Sequence, residues 1–233
     1  MKNLKYLSLF FVGLTVLFSG CEKSTSTEDI SSITHFVTFE LEEGEVVIIE
    51  KGEEYVEPGY IALEGETDVT TSVQVSGEVG ESLGVYEITY SAVNEDGYPS
   101  SLTRQVIVYD PTSPEDDISG EYIAEVVRTE ADGTNPRPRT NSLAISQVTQ
   151  GIFYVEGFLG NYYSIGSEYG SSYRMDGYIA LNSDYTISLL YSHIIGWGDG
   201  LEDLLNGTYD PVTGQIYWES IYAGSDIFAV TAY

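Results

Sequence analysis

Beyond residue 32 the chain consists of short apolar runs that alternate with polar residues and end repeatedly at glycine, asparagine or aspartate. No run keeps the apolar period of about 3.6 residues that marks an amphipathic helix. Tyr86, Ile88 and Tyr90 would share one face of a strand, while Glu87 and Thr89 share the other. Such alternation indicates antiparallel strands with one buried face. The chain is therefore predicted to be all-β.

A segment rich in proline and acidic residues divides this β-region in two. Residues 110–117 read Asp-Pro-Thr-Ser-Pro-Glu-Asp-Asp, and two prolines with four acids favour a linker. The predicted organisation is a first β-domain at 33–110, a linker at 111–117 and a second β-domain at 118–233. We expect the linker to carry few buried contacts and each β-domain to fold by itself.

The first β-domain is predicted to be a small β-sandwich of about seven short strands. Alternating runs place its strands at 34–41, 45–50, 57–63, 71–77, 86–92 and 102–109. The last two strands are joined by a turn at Asn94–Gly97, because Asn, Asp and Gly tolerate the backbone of a tight turn.

The second β-domain is predicted to hold about eight strands. They are expected near 120–128, 141–148, 152–157, 173–181, 185–192, 204–209, 215–222 and 226–232. Asn182–Asp184 and Asp210–Gly214 have the composition of hairpin turns. Short links between consecutive strands favour an antiparallel up-and-down arrangement, which is either a β-barrel or a β-sandwich, and the pattern does not choose between them.

The first 20 residues have the pattern of an export signal. A short basic region precedes an apolar stretch at 6–18, whose 13 residues are too few to span a bilayer, since spanning takes about 20. The run Leu-Phe-Ser-Gly-Cys that ends at Cys21, the only cysteine, resembles a bacterial lipobox. We therefore predict a signal peptide at 1–20, a lipid bilayer anchor through acylated Cys21, and a flexible tether at 21–32.

The charge of the exported chain limits its partners. Of the nine Lys and Arg residues, two leave with the signal peptide, so seven remain against 37 acids, a net charge of −30. Nucleic acid is excluded as a partner, because contacts to phosphates need a basic face. Anionic polysaccharides are disfavoured for the same reason, whereas a neutral ligand is not.

No catalytic residue, metal site or cofactor is predicted. Ser82 lies in a G-x-S-x-G run, but the hydrolase elbow needs a strand-to-helix turn, and Ser82 lies between strands. The two histidines, His35 and His193, are too few and too isolated for a metal site. The acids of residues 199–203 lack the spacing of an EF-hand calcium loop and are expected to be solvated. The chain is therefore predicted not to be an enzyme.

Two sets of residues resemble known families. The first set resembles bacterial immunoglobulin-like (Ig-like) modules and consists of the runs Gly52–Ala62, Gly84–Ala92 and Arg104–Asp110. The second set resembles the uncharacterised C-terminal domain of Bacteroides-type surface lipoproteins. It consists of the runs Gly120–Tyr122, Phe158–Tyr163 and Gly207–Asp210. The resemblance implies an Ig-like spacer on a lipoprotein of the outer membrane, exposed at the cell surface. Such lipoproteins are often encoded beside starch-utilisation-like systems, which implies glycan capture and outer-membrane transporter components as partners.

Tyrosine dominates the aromatic residues, with 20 Tyr against eight Phe. Its flat apolar face and polar rim suit the surface of a sugar, although tyrosine is also common in strands. Trp197 stands between two glycines, and Tyr162 and Tyr163 lie in a glycine- and serine-rich segment with Tyr169 and Tyr173 nearby. We predict that Trp197, Tyr162 and Tyr163 bind a neutral polysaccharide. The alternative is a structural or accessory envelope lipoprotein that contacts other proteins and binds no sugar.

Overall fold

The computed structural model describes residues 33–233, so the predicted signal peptide, Cys21 and the tether lie outside the described residues. The secondary structure in this part is strand, apart from two short 3₁₀ turns at Thr70–Ser72 and Ser171–Tyr173. The prediction of an all-β fold is confirmed. Within residues 33–233 no helix is long and apolar enough to cross a bilayer.

The first β-domain is a sandwich of two sheets. One sheet has the strand order β1 (Val37–Leu41), β3 (Tyr60–Glu64), β4 (Thr67–Asp68). The other has the order β2 (Val46–Glu50), β7 (Pro99–Tyr109), β6 (Gly84–Val93), β5 (Gln74–Ser76). Neighbouring strands are antiparallel except β2 and β7, which run parallel.

A fully buried arginine ties parts of this sandwich together. The side chain of Arg104 is 0% exposed, and its Nη1 donates to Oε1 of Glu57 at 2.7 Å. Its Nη2 donates to the carbonyl oxygen of Glu42 at 2.7 Å. The hydroxyl of Tyr90, also buried, donates to Oε2 of Glu57 at 2.5 Å. A buried charge is tolerated only when it is paired and hydrogen-bonded in this way.

The second β-domain is a nearly closed antiparallel barrel of eight strands. They are β8 (Gly120–Thr129), β9 (Arg137–Thr149), β10 (Ile152–Glu156), β11 (Met175–Leu181), β12 (Ile187–Ile194), β13 (Asp203–Tyr209), β14 (Ile216–Tyr222) and β15 (Asp226–Ala232). Each strand pairs with its neighbour in sequence except across one seam, and β15 pairs with β8. At the seam between β12 and β13, a bridge joins Thr186 to Thr208, and the amide of Tyr209 donates to the carbonyl of Tyr185. Of the two predicted arrangements, the barrel is the one formed.

Large side chains fill the inside of the barrel. Phe153, Phe158, Trp218 and Phe228 are all 0% exposed. An eight-stranded barrel is narrow enough for side chains to occupy its interior completely. A ligand would therefore meet this domain at an end of the barrel or on its outer face.

The sandwich and the barrel bury apolar surface against each other within the compact unit Phe36–Tyr233. One buried cluster joins Ile107 of β7 to Ile152, Tyr178 and Ala180 of the barrel. The linker residues 111–117 are themselves exposed or half-buried. Strand faces, and not the linker residues, therefore make the contact between the domains. The prediction of few buried contacts at the linker did not anticipate this interface.

Candidate functional site

Two loops at one end of the barrel carry the aromatic residues that the sequence singled out. The longer loop, residues 157–174, joins β10 to β11, and the shorter loop, residues 195–202, joins β12 to β13. The linker enters the barrel at the start of β8, which lies at the opposite end. From there β8 runs towards Arg128, which pairs with Phe228 and lies beside these loops.

The long loop is fastened to the barrel interior. Trp218 Nε1 and Ser220 Oγ, both buried, each donate a 2.8 Å hydrogen bond to the carbonyl oxygen of Phe158. Buried Asn161 donates through Nδ2 to the carbonyl oxygen of Ser142 at 2.8 Å. These bonds satisfy backbone groups that would otherwise be buried without partners, and they hold the loop in one conformation.

The short loop packs Trp197 against the long loop. The amide of Gly196 donates to the carbonyl oxygen of Ser172 at 2.7 Å. A Cβ on Gly196 would lie only 2.7 Å from the ring of Tyr173, so this approach requires glycine. Gly198 has φ of 72°, a left-handed conformation that glycine adopts at little cost. The two glycines therefore place Trp197 at the surface beside Tyr173.

Four aromatic rings, those of Tyr163, Tyr169, Tyr173 and Tyr222, cluster around Trp197. The centroid of Trp197 lies 5.0 Å from that of Tyr163, 4.9 Å from Tyr173 and 5.9 Å from Tyr222. Trp197 is 42% exposed and Tyr169 is 54% exposed. Tyr169, Tyr173 and Trp197 line a shallow depression of about 280 Å³. We call these three residues the aromatic patch.

The structure brings together two of the three predicted ligand-binding residues, Trp197 and Tyr163, and separates Tyr162 from the surface. Tyr162 is 4% exposed, lies edge-on to buried Phe228 and faces the guanidinium of Arg139, 4.4 Å from its ring centroid. Tyr162 therefore offers no face to a ligand, and the predicted platform needs correction at this residue. The physical reason is that Tyr162 fills the mouth of the barrel core, whereas Tyr163 is only partly buried.

Tyr222 is a member of the cluster that sequence reasoning missed. It is the last residue of β14, and its alternation marks it as a core position. Its ring stacks at 29° to Trp197. Its hydroxyl donates to Oδ1 of Asp199 at 2.9 Å, and burial together with this hydrogen bond raises the pKa of Tyr222. The ring of Tyr222 thus packs against the ring of Trp197, and the Tyr222 hydroxyl stays a neutral donor at physiological pH.

The cationic side chain next to the cluster is paired. Arg128 Nε donates to Oδ2 of Asp226 at 2.8 Å, and its guanidinium lies 5.8 Å from the ring centroid of Tyr163. The charge of Arg128 is therefore balanced by Asp226, so Arg128 is not an unpaired cationic group beside the cluster.

The residues considered for catalysis or metal binding in the sequence lie outside the aromatic patch. Ser82 is in the loop before β6, where its carbonyl oxygen accepts a hydrogen bond from the hydroxyl of Tyr86. A strand follows it, not the helix of a hydrolase elbow. Asp203 accepts from the amide of Leu204, and Glu202 accepts from the amide of Gly224. Within residues 33–233 no group of three or more His, Asp or Glu side chains is arranged to hold a metal ion.

Family models match both β-domains. The model of the bacterial surface protein Ig-like domain matches residues 39–108. A second family model, described as a "-like, C-terminal domain", matches residues 111–233, more than half of the chain. Comparison with curated proteins gives no match.

Solved structures add one relative with substantial identity. The lipoprotein BT2262 from Bacteroides thetaiotaomicron is 39% identical over 84% of this chain and 99% of that chain, with a TM-score of 0.47. CBM51-2 of Clostridium perfringens ZmpB, solved in complex with GlcNAc and with INT domains, is 15% identical over 56% of this chain and 34% of that chain, with a TM-score of 0.29. The identity and coverage of the first match establish kinship. The chain belongs to the family of the Bacteroides lipoprotein BT2262, and it consists of a bacterial surface Ig-like domain followed by a domain that matches the second, C-terminal family model.

Proposed function

We propose that this protein is a cell-surface lipoprotein that is anchored through acylated Cys21 in the outer membrane and binds a neutral polysaccharide without catalysis. The aromatic patch is the observation that carries the proposal. It lies at the end of the barrel away from the linker, so a ligand in the surrounding medium can reach it. We place the protein in a polysaccharide-uptake system, with outer-membrane transporter components as partners.

The chemistry of the patch fits a sugar ring. Trp197 and Tyr169 are both partly exposed, and aromatic rings of this kind stack on the C–H face of a pyranose while tyrosine hydroxyls bond its O–H groups. Glycine positions and backbone hydrogen bonds hold the rings in place before binding, which lowers the entropic cost of association. The net negative charge does not oppose a neutral ligand.

The test is affinity electrophoresis of residues 33–233 in gels that contain neutral polysaccharides, followed by titration calorimetry. Loss of one well-packed aromatic anchor costs about 2 kcal/mol, so Trp197→Ala should weaken binding about thirtyfold. Tyr233→Ala is the matched control, because Tyr233 is 58% exposed and lies near the start of β8, at the opposite end of the barrel. Equal affinity of the two variants, both folded, would contradict the proposal.

A second candidate function is a protein-binding accessory role. Ile195, which is 76% exposed, lies in the same loop as Trp197, and together with the aromatic patch it would form a larger exposed apolar surface of the kind that binds proteins. A photo-reactive residue at position 195 in whole cells distinguishes the two roles. A cross-link to another envelope protein, made by a protein that binds no neutral polysaccharide in the affinity gel, would favour this alternative.

A further inference from the structure

A cleft of about 200 Å³ with a mixed polar and apolar lining lies where the outer face of the barrel meets the Ig-like domain. Asp176 of β11 and His193 of β12 are register partners on this face. Gln105 of β7 lines the cleft from the Ig-like domain, and Tyr154 and Tyr191 line it from the barrel. The cleft is therefore built by both domains, at a domain junction of the kind where small ligands often bind.

The cleft is continuous with the loop of the aromatic patch. Ile195 lines the cleft, and Trp197 follows it by two residues in the same loop. Arg174 also lines the cleft and directly follows Tyr173 of the patch. The two surfaces therefore share these loops, and an extended ligand bound to both would have to follow them.

Hydrogen-bonding groups of both kinds converge on the cleft. Arg174 Nε donates to both carboxylate oxygens of Asp176, at 2.7 and 2.9 Å, and Nη1 pairs with Glu156. A guanidinium has five N–H donors, so this arrangement leaves it capacity for a ligand. Oε1 of Gln105 accepts from the hydroxyl of Tyr178 at 3.0 Å, and the same amide carries two N–H donors.

Two ionisable groups of the cleft, Asp176 and Tyr154, have pKa values raised by their surroundings. Burial, together with the charge of Glu156, raises the pKa of Asp176, although Arg174 opposes the shift. Burial and the charge of Asp176 raise the pKa of Tyr154 to about 12, so its hydroxyl remains a donor at neutral pH. Perturbed groups that share a cleft are a feature of binding sites as well as of ion-pair networks.

The chemical groups that line the cleft indicate which class of ligand it can bind. Arg174 is balanced by two carboxylates, so an anion would be repelled, while the tyrosines, amide, imidazole and carboxylate match a ring of hydroxyls. The volume is below the roughly 300–1,000 Å³ of sites that enclose drug-sized ligands. We propose that the cleft is a second subsite, which binds one ring of a neutral glycan and makes the Ig-like domain part of the binding surface. This inference rests on the proposed function, because it extends the same ligand beyond the aromatic patch.

The experiment measures the affinity of residues 33–233 for neutral oligosaccharides of increasing length by titration calorimetry. Gln105→Glu retains an oxygen for the Tyr178 hydroxyl and removes the amide donors, while His193→Ala removes the imidazole. Each variant should weaken binding of the longest oligosaccharide about five- to tenfold, the usual value of one lost hydrogen bond to a ligand. Ser188→Ala, on β12 outside the cleft, is the matched control and should bind as the unaltered protein does.

The outcomes separate the two proposals. If both cleft variants bind normally while Trp197→Ala loses affinity, the cleft is not a subsite and the proposed function stands. If the cleft variants weaken binding and Trp197→Ala does not, the cleft binds the glycan and the aromatic patch does not. Failure of the unaltered protein to bind any neutral glycan overturns both. Thermal unfolding of each variant verifies folding, and either cleft variant suffices if the other is unstable.

Discussion

The hydroxyl of Tyr178, on the outer face of the barrel, donates a 3.0 Å hydrogen bond to Oε1 of Gln105 in the Ig-like domain. Tyr178 is 7% exposed and packs in the cluster that contains Ile107 and Ile152. The two domains therefore share a core, and the barrel would expose part of that core if it were separated.

We expect residues 33–233 to unfold in one transition in urea, and residues 117–233 alone to be less stable than the barrel in the joined chain. Tyr178→Ala should lower the free energy of unfolding by about 3 kcal/mol, because it removes a large buried side chain. Tyr233→Ala should change it by less than about 0.5 kcal/mol, since Tyr233 is exposed. Two separate transitions, with only one of them moved by Tyr178→Ala, would show that the domains are independent.

The pair Arg104–Glu57 should matter far more than the surface pair Lys51–Asp110. Glu57→Ala leaves the fully buried guanidinium without its carboxylate, and the expected loss of stability is about 3 kcal/mol. Lys51→Ala removes a 2.9 Å pair whose lysine is half exposed, and the expected loss is about 0.5 kcal/mol. Urea unfolding of the two variants checks this ranking, and equal losses would refute it.

The stability of the Ig-like domain should fall in acid through Glu57. Burial pushes the pKa of this carboxyl up, but hydrogen bonds from Tyr55 and Tyr90 and the charge of Arg104 lower it below the usual 4.5. A depressed folded pKa contributes stability above the unfolded value, and this is lost as the pH falls from about 4.5 through the folded pKa. The unaltered protein should lose more stability than Glu57→Gln between pH 6 and 3. Parallel pH profiles would contradict the assignment.

Gly196→Ala should disturb the aromatic patch without unfolding the barrel. The new Cβ would meet the ring of Tyr173 at 2.7 Å, so Tyr173 or Trp197 must move. Acrylamide quenching reports this change at Trp197, because the other tryptophan, Trp218, is 0% exposed. Gly120→Ala is the control, since its Cβ would make an ordinary 3.4 Å contact with Tyr122. Unchanged quenching in Gly196→Ala would mean that this glycine does not position the tryptophan.

Replacement of Cys21 by alanine should abolish labelling of the full chain with a radioactive or clickable fatty acid and release the protein from membranes. The reason is that in the proposed anchoring the thiol of Cys21 carries the lipid, and the sequence has no second cysteine to replace it. Membrane fractionation after labelling measures both effects. Retention of the variant in membranes, with no label on the unaltered protein, would refute lipid anchoring.

Local alternation in the sequence located the strands except the two-residue β4 at Thr67–Asp68, because period-two patterning follows directly from the pleat. The final strand was predicted at 226–232 and lies at Asp226–Ala232, and the turn predicted at Asp210–Gly214 joins β13 to β14. Trp197 between two glycines likewise indicated an exposed aromatic residue, and it is 42% exposed.

Three features were decided only by the tertiary structure. Closure of the barrel depends on pairing between β8 and β15, such as Arg128 with Phe228, and no local pattern encodes a partner so distant in sequence. Neighbouring Tyr162 and Tyr163 face different surroundings because their loop has no period from which a buried side can be read. Tyr178 is buried although it lies on the outer face of β11, because the Ig-like domain covers that face. Local physics determines where strands form, whereas burial of each face depends on which distant surface packs against it.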